Sequence, residues 1–463
     1  MRTLLLMALA TPLLAADPPR TMRLDFYHTG NATTEIYAVD KVVVEPLPWP
    51  GNLARPIDLL NLGDYFFEVA DAASKKVLYS RGFSSIYGEW VTTAEAKTAS
   101  RTFHESLRFP TPEKPVTVTV RKRDAANQWK DAWTTTVDPK DQFVDTSVPE
   151  EPGALIAIEK NGPPSEKVDL LILGDGYTAA ERPKFEADAK RMVGHLFAAS
   201  PFKERRKSFN VWGLCPPARE SGVSRPSLGK HTASPVGATY DAFGSERYIL
   251  TFDNRAFRRV AQFAPYDHVE ILCNNRTYGG GGIFNLYGTV SADSAWAAYV
   301  FVHEFGHTFA ALADEYYTSP VAYLPADKKV EPWQPNATAQ TDPSKVKWKD
   351  QLTAGTPAPT PWPKAEYEAW SKDYQKRRAQ LRKDKRPEAE MEALFAEDRR
   401  VTEKLLGAAK HFGQVGLFEG SNYEATGLYR PAMDCIMFSR SAEFCPVCRR
   451  AIERIIDLYS AGP

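Results

Sequence analysis

Two histidines and a glutamate have the spacing of a hydrolytic zinc site. His303, Glu304 and His307 form the pattern His-Glu-x-x-His within an apolar stretch typical of a helix. Residues four apart share one helix face, so both imidazoles can bind the same zinc ion. Glu304 would then lie beside the metal, where a carboxylate can take a proton from water. Because this short pattern also occurs by chance, it needs support from the rest of the chain.

A catalytic zinc site needs a third protein ligand and an open position for water. The extended metzincin pattern continues with a glycine and a third histidine, which let the chain fold back to the metal. Here Ala310 and Ala313 occupy those two positions. The next acidic residues are Asp314 and Glu315, and a carboxylate is an acceptable zinc ligand. The third ligand is therefore predicted among acids rather than histidines.

Helix geometry restricts this choice of acid. In an unbroken helix, Asp314 would lie about two turns, or ~10 Å, from His307. Asp314 can bind the metal only if the helix ends near Ala311 or Leu312 and the chain bends back. We favour Asp314 on this basis. A continuous helix would instead require a distant acid, for which Glu419 and Glu424 are candidates.

A methionine lies more than a hundred residues after the helix, within Cys435-Ile-Met. Metzincins place a tight turn bearing a methionine beneath the zinc site. Met437 fits that role and Met433 is the reserve, although a methionine is usually plain core packing. Tyr429 or Arg430, just before this turn, could donate a hydrogen bond to the tetrahedral oxyanion.

Hydrophobic patterns predict the elements that position the motif. Residues 168–173 form a continuous apolar run typical of a buried central strand, and a Gly-Asp-Gly turn and a helix capped by Thr178 follow. The glycines at 279–282 are interpreted as a flexible turn that leads into an edge strand over 284–290. Such a strand could pair with an extended peptide. The motif helix is predicted over 292–313.

The chain divides into regions of different composition. Residues 20–147 contain short strands separated by turns, which predicts a β-sandwich domain. A linker rich in proline and glycine precedes the region 165–458, which contains the motif. Within that region, residues 319–412 are rich in proline and then in charge, and they predict a helical insertion. This insertion could be a lid over a cleft, although a solvated insertion is the favoured alternative.

Net charge and the N-terminal sequence indicate which partners and which cellular location to expect. The 463 residues include 58 Lys+Arg and 58 Asp+Glu, a balance that does not indicate binding to nucleic acid or to an anionic membrane. Residues 1–16 have the pattern of a secretory signal peptide, with an uncleaved anchor as the alternative. No later stretch is apolar for long enough to span a membrane. We therefore expect a secreted, periplasmic or cell-surface protein with no transmembrane segment after signal cleavage.

Five cysteines are present, and three of them lie near the C-terminus. Cys445 and Cys448 form a C-x-x-C pair, but one such pair does not make a zinc ribbon, which needs four ligands. In an exported protein a disulfide from Cys435 to one of this pair is a candidate. Cys215 with Cys273 is a second candidate, and the odd number of cysteines prevents a full assignment.

The longer motif is specific enough to resemble a known family. Residues 303–317 resemble the motif of the bacterial IgA-peptidase family of metzincin-like zinc metallopeptidases. Four other segments share the resemblance: 170–178, 417–420, 427–431 and 435–437. The likeness covers about 167–456 without the insertion, and the N-terminal region looks like the domain that precedes these catalytic domains. The resemblance implies an α+β or α/β metzincin-like catalytic domain, with zinc bound by His303, His307 and Asp314.

The resulting prediction is a secreted zinc-dependent endopeptidase that acts on a protein or peptide. Glu304 is predicted to be the general base that takes a proton from a zinc-activated water. One alternative is a binding or adhesion protein stabilised by the metal. Glu304 argues against it, because a structural site has no use for a base and usually has four ligands. Another alternative is a zinc amidase that acts on a non-protein amide such as peptidoglycan.

Overall fold

The computed structural model describes residues 18–323 and 330–461. The predicted signal peptide, residues 1–16, lies outside this range. The described residues combine an N-terminal region rich in β-strands with a second region that mixes strands and helices. This agrees with the predicted succession of an all-β region and an α/β region. Within the described residues, no helix combines the length and apolar character needed to cross a membrane.

The N-terminal region forms two antiparallel sheets around one apolar core. Its elements are β1 (Arg20–Gly30), β2 (Glu35–Pro48), β3 (Tyr65–Asp71), β4 (Val77–Phe83), α1 (Ile86–Trp90), β5 (Arg101–Pro110), β6 (Val116–Arg123) and β7 (Trp129–Val137). One sheet has the order β2-β1-β5 and the other β4-β3-β6-β7. Phe26 and Phe109 from the first sheet share a core with Phe67 and Val118 from the second. Alternating apolar residues in these strands bury one face of each sheet, as the sequence pattern predicts.

The second region contains the motif helix and the sheet that supports it. Its strands are β8 (Ile156–Glu159), β9 (Val168–Asp175), β10 (Phe209–Leu214), β11 (Ala238–Thr239), β12 (Leu250–Thr251), β13 (His268–Cys273), β14 (Gly280–Ile283), β15 (Tyr287–Ser291), β16 (Phe418–Ser421) and β17 (Glu424–Arg430). Its helices are α2 (Arg182–Leu196), α3 (Asn254–Ala261), α4 (Ala297–Ala310), α5 (Lys364–Lys383), α6 (Glu388–Gly407) and α7 (Pro446–Tyr459).

Six of these strands form one sheet in the order β14-β15-β13-β9-β10-β8. The four inner strands are parallel, and the outer strands β14 and β8 run antiparallel to their neighbours. Every residue of β9 is buried, as predicted for a central strand covered on both faces. Thr178 and Glu181 then form a capping box that leads into α2. Helices α2 and α4 pack side by side on the sheet, and α4 carries the histidine motif.

The glycine run forms the edge strand itself, which corrects the prediction of a flexible turn. Gly280–Ile283 make up β14, and the predicted edge segment supplies β15, one position further into the sheet. Close packing on α4 explains the glycines. An added Cβ at Gly280 would lie 2.5 Å from Val300 Cγ1, and one at Gly282 would lie 2.6 Å from the carbonyl oxygen of Glu304. Side chains here would push the edge strand away from the motif helix.

The charged segment forms the helices α5 and α6, and they pack on the core instead of extending into solvent. Tyr374 on α5 and Phe395 on α6 are buried in the same apolar cluster as the sheet helices. Asp398 on α6 forms an ion pair with Arg440 at 2.7 Å. The solvated alternative for this insertion is therefore wrong. The composition of the segment is dominated by its many charged residues, although apolar residues and a few charged ones, such as Arg378, are buried against the core.

Candidate metal centre

Helix α4 ends where a metal site with an acidic third ligand requires it to end. Ala310 is its last residue, and Ala311 adopts the left-handed conformation with φ 54° and ψ 31°. The amide of Ala311 donates to the carbonyl of His307 at 3.1 Å, and that of Leu312 donates to the carbonyl of Gly306 at 3.2 Å. These bonds close the helix end and reverse the chain. The residues after the turn therefore return to the histidine face.

Three potential ligand atoms converge after this turn. Asp314 Oδ1 lies 3.0 Å from His303 Nε2 and 3.2 Å from His307 Nε2. The two Nε2 atoms are 3.2 Å apart. Ligands about 2.0–2.1 Å from a tetrahedral zinc ion lie about 3.3 Å from one another, close to these spacings. Asp314 Oδ1 is also buried without a hydrogen-bond partner in the described chain, so the donor set fits a metal ion.

Backbone carbonyls orient both imidazole rings. His303 Nδ1 donates to the carbonyl oxygen of Ile436 at 2.9 Å, and His307 Nδ1 donates to that of Leu312 at 2.6 Å. A carbonyl oxygen can only accept, so each Nδ1 carries the proton. Each Nε2 then keeps its lone pair, directed at the convergence point. Such contacts to the second ring nitrogen are usual for histidines that bind metals.

The charges within the centre support one another. His307 and His303 hold the pKa of Asp314 well below its usual range, although burial alone would raise this pKa. Burial opposes the charge on His307, but Asp314 raises the pKa of this histidine to about 9. The second oxygen of Asp314 accepts a hydrogen bond from the hydroxyl of Tyr423. The aspartate is therefore ionised and oriented towards the two histidines.

Glu304 lies in the same cleft as the histidines. His303, Glu304 and His307 also present ligand atoms that lie within 4.8 Å of one another. Burial raises the pKa of Glu304, while the two histidines oppose that shift. A carboxylate with increased proton affinity is suited to accept a proton and return it.

The cleft has a volume of about 580 Å³ and takes its walls from separate parts of the chain. Glu89 comes from the N-terminal region, Gly281 from the edge strand β14, and Tyr248 from the segment before β12. The predicted insertion contributes Trp333, whose indole nitrogen donates to Asp64 Oδ1 at 2.9 Å. The N-terminal region and the insertion thus shape the cleft in front of the metal centre.

Met437 lies behind the centre in a tight turn. The amide of Phe438 donates to the carbonyl of Cys435 at 2.9 Å, which closes the turn. Met437 is fully buried, and an added Cβ at Gly306 would lie 3.0 Å from its sulfur. The methionine therefore packs against α4 between the two histidine positions. The same turn supplies the Ile436 carbonyl that holds His303.

Comparison with known proteins identifies the family of the chain. A family model described as IgA Peptidase M64 matches residues 156–456, and a model of the Peptidase M64 N-terminus matches residues 16–134. The chain belongs to the IgA peptidase M64 family. The resemblance stated from the sequence is therefore confirmed, and the family is one of metallopeptidases, which act on proteins or peptides. No curated protein matches the chain.

Within this M64 peptidase, Glu315 and Glu419, two of the other acids proposed as the third ligand, have different partners, whereas the remaining candidate, Glu424, lines the cleft. Glu315 Oε1 accepts a hydrogen bond from Asn336 Nδ2 at 3.0 Å, away from the histidines. Glu419 forms an ion pair with Lys364 at 2.8 Å. Asp314 is the acid that the structure brings to the histidine pair.

Tyr429 and Arg430 lie outside the cleft lining, so their positions do not suit the predicted contact with an oxyanion. Tyr429 exchanges backbone hydrogen bonds with Thr338 at 3.0 and 2.8 Å. Arg430 is fully buried, and its guanidinium donates to the carbonyl oxygens of Glu419 and Gly420 at 3.2 and 2.8 Å. Both residues support the strand pair β16–β17 instead.

Sequence reasoning missed three residues that position or line the centre. Asn336 brackets the chain after α4, because its side chain accepts from the amide of Ala313 at 2.7 Å and donates to its carbonyl at 2.9 Å. Tyr423 holds Asp314. Arg247 lines the cleft, and its Nη2 donates to the hydroxyl of Tyr316 at 3.4 Å. No sequence pattern marks these residues, since they reach the centre from segments far away in the chain.

Neither expected disulfide is formed. All five cysteines are free thiols, and the sulfurs of Cys435 and Cys448 are 3.8 Å apart. A disulfide requires about 2.05 Å between sulfurs. The prediction of a Cys435 disulfide is therefore wrong for this structure, as is the pairing of Cys215 with Cys273.

Proposed function

We propose that this M64 peptidase is an exported zinc-dependent endopeptidase in which Glu304 transfers the proton. The observation that carries the proposal is the convergence of Asp314 Oδ1 with His303 Nε2 and His307 Nε2, all within 3.2 Å, beside Glu304 in an open cleft. A site with three protein ligands leaves a coordination position for chemistry. A structural site would be closed by a fourth ligand.

His303, His307 and Asp314 would hold the zinc ion. When bound, zinc supplies a Lewis acid that polarises the scissile carbonyl and increases the acidity of water. The residues present suit this ion, because imidazole nitrogen and carboxylate oxygen are both common zinc ligands. The hydrogen bonds from each Nδ1 and from Tyr423 keep the three ligand atoms in place before the ion arrives.

Glu304 performs the proton transfers. Its carboxylate takes a proton from the attacking water as the new C–O bond forms. It then delivers that proton to the amide nitrogen as the C–N bond breaks, so the leaving group departs as a neutral amine. Burial raises the pKa of Glu304, which favours both halves of this cycle. General acid–base catalysis of this kind contributes about 10²–10⁴-fold to the rate.

The cleft supports an extended peptide as substrate. The strand β14 lines the cleft beside Glu304. Gly280 is buried and its backbone already pairs with residues 247–249, whereas Gly282 is partly exposed. A substrate could add to this strand at its Gly282 end through main-chain hydrogen bonds. Arg247 lies in the same cleft, where its guanidinium could donate to the oxyanion of the tetrahedral intermediate.

Export and the metzincin-like assignment belong to the same proposal. Residues 1–16 have the pattern of a signal peptide, so we expect secretion or a periplasmic or cell-surface location. The acid that follows the histidines and the methionine turn behind α4 support a metzincin-like arrangement. N-terminal sequencing of the exported protein would test the first point, since cleavage should remove about the first 16 residues.

The function is tested by Glu304→Gln in the full mature chain. We expect the variant to keep its zinc and to lose cleavage of a mixed protein substrate by about 10²–10⁴-fold. Glu186→Gln, on the outer part of α2, is the matched control and should retain full activity. A chelator should abolish cleavage and added zinc should restore it. Wild-type rates for Glu304→Gln would overturn the proposal, and cleavage of peptidoglycan alone would assign the site to an amidase.

A further inference from the structure

A second cluster of potential metal ligands lies apart from the histidine centre. Glu315, Cys435, Cys445 and Cys448 are all buried, and their ligand atoms lie within 4.8 Å of one another. The proposed peptidase reaction uses none of these four side chains. The cluster joins three parts of the chain: the turn after α4, the methionine turn and the start of α7.

The spacing of the cluster matches a metal–thiolate site. The sulfurs of Cys435 and Cys448 are 3.8 Å apart. With zinc–sulfur distances of about 2.3 Å, two sulfurs on a tetrahedral zinc ion lie about 3.8 Å apart. Cys448 Sγ is also 3.4 Å from Glu315 Oε1. A disulfide would need the sulfurs to approach to about 2.05 Å and would leave the third cysteine unpaired.

Backbone amide groups are directed at the sulfurs of Cys435 and Cys445, although burial raises the pKa of the Cys435 and Cys448 thiols. Cys445 is the residue that caps α7, and its sulfur accepts from the amide of Cys448 at 3.5 Å. Cys435 Sγ accepts from the amide of Cys445 at 3.3 Å. Amide hydrogens directed at sulfur and the positive end of a helix both stabilise negative charge. The C-x-x-C pair therefore offers two sulfur ligands at the start of α7.

Glu315 completes the set from the opposite side. Its amide donates to the carbonyl of Met437 at 2.8 Å, which fixes the residue against the methionine turn. Oε2 of Glu315 is buried and has no hydrogen-bond partner among the described residues. A buried carboxylate oxygen without a partner is costly, so this atom points to a missing ligand partner. The buried guanidinium of Arg430 acts electrostatically on Glu315 and offsets part of the negative charge.

We propose that Glu315, Cys435, Cys445 and Cys448 hold a second, structural zinc ion. Four protein ligands close such a site, in contrast to the three-ligand centre in the cleft. Thiolate-rich ligand sets select zinc among the common divalent ions of neutral, non-redox sites. The ion would tie together the residue after Asp314, the turn that holds His303, and helix α7.

Two ligands of the proposed second zinc site are direct sequence neighbours of residues at the histidine centre. Glu315 follows Asp314 directly, and Cys435 precedes Ile436, whose carbonyl accepts from His303 Nδ1. Fixing Glu315 and Cys435 on one ion would therefore fix both sides of the catalytic centre. The ligands come from segments more than a hundred residues apart. The ion would therefore close a long loop of the chain and stabilise the folded state.

The test counts zinc in the full-length mature protein, purified without chelators. We expect about two zinc ions per chain in the wild type. The double variant His303→Ala/His307→Ala should retain one, held by the cysteines. Cobalt substituted into that variant should produce a thiolate-to-cobalt charge-transfer band, which histidine and carboxylate ligands do not produce. These readouts do not depend on peptidase activity, so failure of the proposed function leaves them interpretable.

Variants of the ligands complete the design. Glu315→Gln should lower zinc retention against a competing chelator while leaving the thiolate band in place. Cys448→Ser should lose one zinc ion per chain and weaken that band, whereas Cys215→Ser, the matched control, should keep both ions. Since Cys448→Ser could fail to fold, thiol alkylation of the wild type provides a second measurement, in which chelation should expose three protected thiols. A single zinc in the wild type without a thiolate band, or a Cys435–Cys448 disulfide found by mass spectrometry, would overturn the proposal.

Discussion

Asp314 and Glu315 are consecutive residues whose carboxylates belong to different clusters. Asp314 Oδ1 lies 3.0 Å from His303 Nε2, whereas Glu315 Oε1 lies 3.4 Å from Cys448 Sγ. Successive side chains of an extended segment point in opposite directions, so one dipeptide can serve two sites. The histidine centre and the cysteine cluster are therefore one peptide bond apart at this point of the chain.

The turn at Ala311 should control how Asp314 reaches the metal. An L-residue at φ 54° is strained, and a β-branched side chain is strained further. We expect Ala311→Val to destabilise the protein by about 1–3 kcal/mol and to weaken zinc binding, because the helix end would shift. Ala311→Gly should change stability by less than about 1 kcal/mol, since relief of strain opposes the added flexibility of the unfolded chain. Thermal denaturation and chelator competition measure the two effects, and zinc affinity unchanged in Ala311→Val would contradict the prediction.

The hydroxyl of Tyr423 should strengthen zinc binding through Asp314. Tyr423→Phe removes the hydrogen bond to Asp314 Oδ2 but keeps the ring in place. Loss of such an outer contact typically costs about 10–100-fold in metal affinity. Competition with a zinc chelator measures this loss. Tyr429→Phe, outside the cleft lining, should have wild-type affinity; equal affinity in both variants would mean that Asp314 is held by other contacts.

Arg247 should contribute to the rate without affecting metal content. Its side chain lines the cleft, and its charge acts on Asp314 and Glu304. If it donates to the oxyanion, Arg247→Met should lower kcat by about 10²–10³-fold while zinc content stays the same. Arg255→Met, at an exposed position of α3, is the control for loss of a surface arginine. A change in KM alone would show that Arg247 binds the substrate without stabilising the intermediate.

The buried His268 should make the protein sensitive to acid. Both of its ring nitrogens lack a hydrogen-bond partner within the described residues, and its ring lies between those of Phe309 and Tyr459. Burial, aided by the charge of Arg81, lowers the pKa of His268 from 6.5 to about 3. Between pH 6.5 and 3, His268 therefore binds a proton in the unfolded chain but not in the folded chain. The free energy of unfolding decreases as the pH falls through this range.

This loss can be measured as a difference between two proteins. Relative to neutral pH, the free energy of unfolding at about pH 4.5 should fall by roughly 2–3 kcal/mol more in the wild type than in His268→Leu. Urea denaturation of the wild type and of His268→Leu, each at neutral pH and at the acidic pH, measures the free energies of unfolding. Parallel losses in the two proteins would contradict the assignment, because the proton uptake would then belong to other groups.

Several elements could be predicted from local patterns, because their causes are local. The apolar run of β9 and the cap at Thr178 are examples, and both occur where the pattern places them. The edge strand could not be placed, since a run of glycines has weak strand propensity and only its packing on α4 explains it. Likewise, the burial of α5 and α6 depends on a surface offered by distant residues such as Arg440.

The sequence by itself determined the family, the motif helix and three members of the centre: His303, Glu304 and His307. Helix periodicity places the two histidines on one face, and this periodicity depends only on neighbouring residues. Only the tertiary structure decided that Asp314 lies beside the two histidines, because this depends on the left-handed turn at Ala311 and on contacts from Asn336.

The cysteine cluster shows the same division. The C-x-x-C pair is evident in the sequence, but by itself it lacks the four ligands of a closed zinc site. The structure adds Cys435 from the methionine turn and Glu315 from the end of α4. Their convergence requires the packing of α4 against α7, which brings together residues more than a hundred positions apart. Long-range packing, not local pattern, therefore decides which of the acidic and sulfur side chains meet at each site.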